Sequence, residues 1–227
     1  AAFVVAPAAA QEWTGQVTLY GWGAGIGGDF MRGTEEISFD KSLSEVLEDL
    51  DGAFFATGLA RRGELVVFGD LTWSRSSREG ATPVGPASGE IEIRSLTLAA
   101  GRRFEAGGGT TVDVLGGLRS WSVEAEAEAP FAGLSISPDA DFVDPVVAVR
   151  VNSPLAESWS VITYLDLGGL GVGPEFTWQA AVTASFRATD NLFLSLGYRH
   201  LYLDYEDGST SFEGNMSGPV AGVTFRF

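Results

Sequence analysis

Asp70, Arg119, Asp144, Arg150, Asp166 and Arg199 each stand at an alternate position of a strand-like segment whose other positions are apolar. Asp113, Arg187 and Arg226 repeat the pattern. A strand has a side-chain period of two, so these charges share the face away from lipid or core. An unpaired charge in a narrow interior is costly. Acids and arginines in similar number therefore point to ion pairs that hold a hydrated interior rigid. Lining a conduit, the same charges would select solutes.

Other reactive residue types are sparse. Cysteine is absent, which removes disulfides, thiolate metal sites and Cys-based nucleophiles. His200 is the only histidine, and Asp204 lies four residues on, on the same strand face. Such a pair could supply a general base for a membrane-embedded hydrolase. Parity puts His200 with Leu196 and Tyr198 on the apolar side, where a histidine in an aromatic girdle is the simpler reading; no catalytic residue is assigned and no enzyme is expected. No Asp-x-Asp-x-Asp-Gly spacing occurs, so no metal site and no cofactor are assigned. Gly21 to Gly28 is glycine-rich, but no helix follows directly, so it is not a phosphate loop.

The net charge is −16 over 227 residues, with Lys41 the only lysine. That disfavours nucleic acid as a partner. Acids crowd Asp29, Glu35, Glu36, Asp40, Glu45, Glu48, Asp49 and Asp51, and again Glu124, Glu126, Glu128 and Asp139. Exposed acidic loops would draw cations, or share divalent ions with the anionic headgroups of lipid and lipopolysaccharide. A surface-binding protein acting through these loops is an alternative function.

The elements that must position these residues are alternating segments. The clearest places Phe176, Trp178, Ala180, Val182, Ala184 and Phe186 opposite Thr177, Gln179, Ala181, Thr183, Ser185 and Arg187. Similar alternation recurs at 13–27, 65–73, 95–100, 112–119, 144–152, 158–168, 191–198 and 216–227. At 52–61, Phe54 and Phe55 compete for the apolar side. Short connections (61–63, 105–109, 153–157, 188–190) alternate with longer ones (28–51, 77–89, 126–139, 169–173, 206–211). This spacing predicts a closed antiparallel transmembrane β-barrel of ten strands, all-β, with both ends of the chain on the short-turn side. A soluble sandwich also alternates. Here, though, the polar face is rich in Gly, Ala, Ser and Thr, small residues that suit a narrow barrel interior.

Residues 29–39 are β-like and are placed in an external loop, 28–51. Within it Leu43, Val46, Leu47 and Leu50 have helical spacing, with Ser42 and Glu45 in capping-box register, predicting a short amphipathic helix over 42–50 that packs on the barrel rim or the other loops, with capping the mouth, folding into the lumen or lying on the membrane surface as alternatives. Residues 1–10 end in Ala8-Ala9-Ala10 and read as a residual signal peptide, leaving 11–227 as the barrel. Val223, Phe225 and Phe227 share the apolar face of the last alternating segment.

The segments Tyr20–Asp29, Val46–Asp51, Phe68–Leu71, Asp166–Gly173, Thr177–Ala180, Gly197–Arg199 and Met216–Pro219, with Phe225-Arg226-Phe227, resemble a widespread group of small, porin-like outer-membrane β-barrel proteins of Gram-negative bacteria. The resemblance implies an outer-membrane location and a structural or narrow channel role for small solutes or ions. It also implies that Val223, Phe225 and Phe227 serve as a signal for the barrel assembly machinery. It carries no catalytic residue over.

Overall fold

The computed structural model describes residues 12–32, 35–82, 85–130, 134–136, 139–169, 175–207 and 210–227. The proposed leader therefore lies outside the described residues, as does most of connection 169–173. Thirteen strands form one sheet: β1 Thr14–Trp22, β2 Gly25–Arg32, β3 Glu35–Lys41, β4 Leu50–Arg62, β5 Leu65–Thr82, β6 Gly85–Glu105, β7 Thr111–Ala129, β8 Leu134–Ile136, β9 Asp139–Ala156, β10 Trp159–Gly169, β11 Phe176–Arg187, β12 Leu192–Asp207 and β13 Thr210–Arg226. One helix, α1, spans Leu43–Asp49. Strands β2, β3 and β8 lie off the ring; the remaining ten close it, with β13 pairing back to β1 from Gln16↔Arg226 to Trp22↔Val220. The closure continues through Gly15 and Phe227, which exchange both backbone bonds, at 2.7 and 2.9 Å. Closure pairs each of the ten ring strands on both sides around the barrel, as a strand structure in lipid requires.

Side-chain burial follows the sequence parity. Leu65, Val67, Leu71, Leu96, Leu98, Val114, Leu118, Val147, Val149, Leu165, Leu167, Val182, Leu194, Leu196, Val223 and Phe225 point outward and are exposed. Their neighbours Val66, Phe68, Asp70, Thr97, Leu115, Val146, Ala148, Asp166, Gln179 and Thr224 are buried inside. Phe55 is inside and Phe54 outside, which settles the competition at 52–61. An apolar exterior around a polar and close-packed interior is the arrangement of a membrane-spanning barrel.

Three features differ from the sequence reading. The longer connections are largely strand where they are described: β5 and β6 pair continuously from Leu65↔Arg102 to Thr82↔Gly85, so the described residues of 77–89 are paired strand and not an open loop. At about 3.3 Å per residue, the 21 residues of β6 extend well past the ~10 that a spanning strand needs. Strands β2 and β3 likewise pair antiparallel, and β2 pairs with the far half of β13. The break between β1 and β2 falls opposite Pro219, which has no N–H to give the ladder; instead Gly23 N donates to Pro219 O at 2.9 Å. Gly218 permits the close approach there, since a Cβ on it would overlap the Gly23 carbonyl. Third, the interior is not filled by small residues alone. Phe68 stacks on Tyr164 in a cluster with Leu59, Val66, Ala99, Leu115 and Ala148, and Trp22, Phe55, Trp121, Leu201 and Val220 form a second cluster.

Because β4 pairs with β1 only as far as Tyr20↔Phe55, the wall divides beyond that point. Helix α1 lies there, against β2, β3 and β5. Ser42 caps it: Glu45 N donates to Ser42 Oγ, and Ser42 N donates to Glu45 Oε2 at 2.9 Å. Asp49 ties its last turn to Lys41 of β3 at 2.7 Å and to Arg78 of β5 at 3.5 Å. None of its side chains is buried.

Candidate functional site: the charged interior

Seven strands send polar side chains into one hydrogen-bonded run across the barrel. Tyr20 of β1 donates its hydroxyl to Asp70 Oδ2 of β5 at 3.0 Å. Arg199 of β12 reaches Asp70 Oδ1 at 3.4 Å and donates to the Tyr20 hydroxyl. Its Nε also donates to Gln179 Oε1 of β11 at 2.8 Å. Gln179 Nε2 donates to Asp166 Oδ2 of β10 at 3.0 Å, and Arg119 Nη2 of β7 meets the same oxygen at 2.6 Å. Arg119 Nε completes the run on Thr97 Oγ1 of β6 at 3.0 Å. Asp166 is 2% exposed, so these are ion pairs taken out of water. In low dielectric they are strong only when each charge keeps its partners. The Arg199 guanidinium also lies 4.5 Å from the Trp22 ring centroid, on the next apolar layer.

Asp144 of β9, the cross-strand partner of Arg119, is buried beside this run but outside its hydrogen bonds, and accepts from Thr177 Oγ1 of β11 at 3.1 Å. Gly168 makes room for both: a Cβ on it would overlap the Asp144 carboxylate and the Thr177 hydroxyl. Towards the short turns lies a second ionic group. Arg103 of β6 grips the fully buried Asp113 of β7 through Nε at 2.6 Å and Nη2 at 2.8 Å, and Arg150 of β9 reaches it at 3.3 Å. A cavity of about 140 Å³ separates the two groups, touched by Asp70, Tyr164, Gln179 and Arg199 on one side and by Arg150 and Arg226 on the other.

The six charges singled out from sequence are thus all buried in the interior, and Asp70, Asp166, Arg119 and Arg199 belong to one connected layer. Arg150 and Asp144 stand outside it. Arg187 is a correction: it has inward parity but ends its strand, is exposed, and donates to the Glu157 carbonyl at 2.8 Å in the neighbouring turn. Tyr20, Gln179 and Thr97 share the inward parity, but carry no formal charge that would mark them in the sequence. Arg103 lies three residues past the clear alternation at 95–100, although β6 continues to Glu105.

His200 faces outward, with its ring 4.6 Å from the Trp178 ring and Nδ1 bonded to Ser217 Oγ. Four residues along a strand is about 13 Å. Asp204 is therefore far from the imidazole, pairs across from Glu213, and cannot orient it as a catalytic partner would. Val223, Phe225 and Phe227 are exposed on the outer face beside the closure seam. Among the described residues there is no cluster of three or more side chains suited to a metal ion.

No protein-family model matches the chain, and no curated protein sequence matches it. Solved structures of similar form include Ail, the attachment invasion locus protein of Yersinia pestis, at 10% identity and TM-score 0.40 over 96% of this chain and 99% of that one. The translocator domain of the autotransporter NalP from Neisseria meningitidis is similar at 12% identity and TM-score 0.44, over 94% and 88%. Neisserial surface protein A is similar at 12% identity and TM-score 0.36, over 95% and 97%. At such values the likeness is one of general form, and none of those proteins' activities follows from it.

Proposed function

We propose that the chain is an integral outer-membrane barrel of a Gram-negative bacterium: a rigid, narrow, porin-like barrel whose path is closed at rest by the Asp70–Arg199–Gln179–Asp166–Arg119 layer. The long-loop end faces outward, its acidic strand extensions beside lipopolysaccharide, and the short turns face the periplasm. The observation that carries this is the continuous run from Tyr20 to Thr97, which joins seven of the ten strands across the interior. Apolar clusters around Phe68 and Trp121 fill space on either side of it. A ten-stranded barrel is only slightly wider than eight-stranded ones that side chains can fill, so one layer of bonded side chains is enough to interrupt it. Small ions or solutes would pass when that layer rearranges.

Planar-bilayer recording tests this. Wild-type protein should be silent or open rarely, and Asp70→Ala with Arg199→Ala should give steady small conductances. Steady conductance in wild type would show that the layer does not close the path. Silence in the folded double variant would remove the channel reading and leave a purely structural barrel.

A further inference from the structure

The cavity at the short-turn mouth is lined by basic side chains, although the chain as a whole is acidic. The mouth encloses a cavity of about 380 Å³ into which Arg61, Arg103, Arg150 and Arg226 all project. One carboxylate, Asp113, is bonded to this group, and it serves both Arg103 and Arg150. Four arginines line the cavity and one aspartate is bonded to two of them, so the guanidinium groups outnumber their ion-pair partners. Glu105 acts on Arg103 only as a more distant charge. Arg150 feels the like charges of Arg103 and Arg226. Arg226 has no ion pair among the described residues: its guanidinium rests 3.8 Å from the Phe193 ring, and its buried Nε has no hydrogen-bond partner. Asn191 and Asn152 add amides to the same wall.

We propose that this mouth is a binding site for a small free oxyanion of the phosphate class. Planar guanidinium groups present paired donors that match tetrahedral and carboxylate oxygens. Several of them around one cavity, short of acidic partners, repel one another until an anion enters. The cavity is large enough for a phosphate and its remaining water. Its arginines line the interior and not the lipid face, so the ligand is a soluble anion and not a lipid headgroup. The site stands whether or not the layer above it ever opens, because the cavity reaches the short-turn end directly. Bound anion would tie β4, β6, β9 and β13 together near the closure seam and raise the barrel's resistance to unfolding.

The test is calorimetric titration of inorganic phosphate into the full chain, folded in an uncharged maltoside detergent. Saturable binding is expected, weakened about tenfold or more in Arg226→Gln, since a hydrogen bond to a charged group contributes ~1.5–3 kcal/mol. Arg226→Lys should fall between the two, keeping the charge but losing the fork. Heat-dependent gel mobility reports whether each variant is folded. If Arg226→Gln does not fold, Arg61→Gln reads the same cavity, with several-fold weaker binding expected. Absence of binding in wild type, or unchanged binding in a folded glutamine variant, overturns the proposal. Loss of phosphate binding on adding anionic lipid to the micelle overturns the assignment of a free anion.

Discussion

Single residues matter here through what they leave unpaired. Removing Arg199 leaves the buried Asp70 with the Tyr20 hydroxyl but without its cation, and removing Asp70 leaves the guanidinium with Tyr20, Gln179 and the Trp22 face. Either truncation to Ala should cost about 3–5 kcal/mol, the usual penalty for a buried charge without its partner. The double variant should cost clearly less than the sum, because it strands neither charge. Urea unfolding of barrels folded into lipid vesicles measures all three, and additive losses would show that the pair is not coupled. Gly168→Ala is a steric counterpart. Its Cβ meets Asp144 and Thr177 rather than open space, so destabilisation of roughly 1–3 kcal/mol is expected by overpacking. Val in place of Asp144 should relieve part of it. The parity of each of these residues was legible in the sequence, but their partners were not. Nothing in the spacing of Asp70 and Arg199 says that strands β5 and β12 lean across the same height; that depends on the register around the whole ring. Arg187 shows the converse, since parity gives a face but no depth.

Among the elements, α1 carries its pH response in its own cap and tether. The Ser42 side chain and backbone hold the Glu45 carboxyl below its ordinary range, and the Lys41 ammonium does the same for Asp49. A depressed carboxyl stabilises the folded form above its unfolded value, and that contribution is lost as pH falls through the lowered one. The cap and the Asp49 tether should therefore hold at neutral pH and loosen only below the ordinary carboxylate range. Amide protection factors of residues 43–49, corrected for the intrinsic pH dependence of exchange, should fall there and at no higher pH. Lys41→Ala should bring the Asp49 titration back up towards the usual range, read from its side-chain carbon shift; an unmoved titration would mean that Lys41 is not the tether. The helix was legible because a capping box and a 3.6-residue period are local signals. The β2–β3 pair was not placed, because its pairing with β13 joins residues nearly two hundred positions apart.

At the scale of the molecule, the exterior is banded. Along the outward face of β6, Glu90, Glu92 and Arg94 give way to Leu96, Leu98 and Ala100, and then to Arg102. Arg94 and Arg102 are about 26 Å apart along the strand at ~3.3 Å per residue, and closer to 20 Å in height once the strand tilts, which suits the apolar band of a membrane barrel. Beyond that band the strands continue outward and carry Glu124, Glu126, Glu128 and Asp141 on exposed faces. The acidic sequence charge is thus concentrated at one end, and the arginines of the mouth at the other. This banding makes a depth-dependent prediction. Leu98 is 58% exposed on the barrel surface and midway between the two arginines. Leu98→Arg should cost about 2–4 kcal/mol of folding stability in lipid vesicles, the penalty of a cation at the bilayer midplane. Ser77→Arg lies on the outward face of β5 beside Glu90, past the band, and should change stability by no more than about 0.5 kcal/mol, as an ordinary surface substitution does. In a detergent micelle with water free to reach position 98, the difference between the two should shrink. Equal costs for Leu98→Arg and Ser77→Arg in vesicles would mean that the membrane does not sit between Arg94 and Arg102.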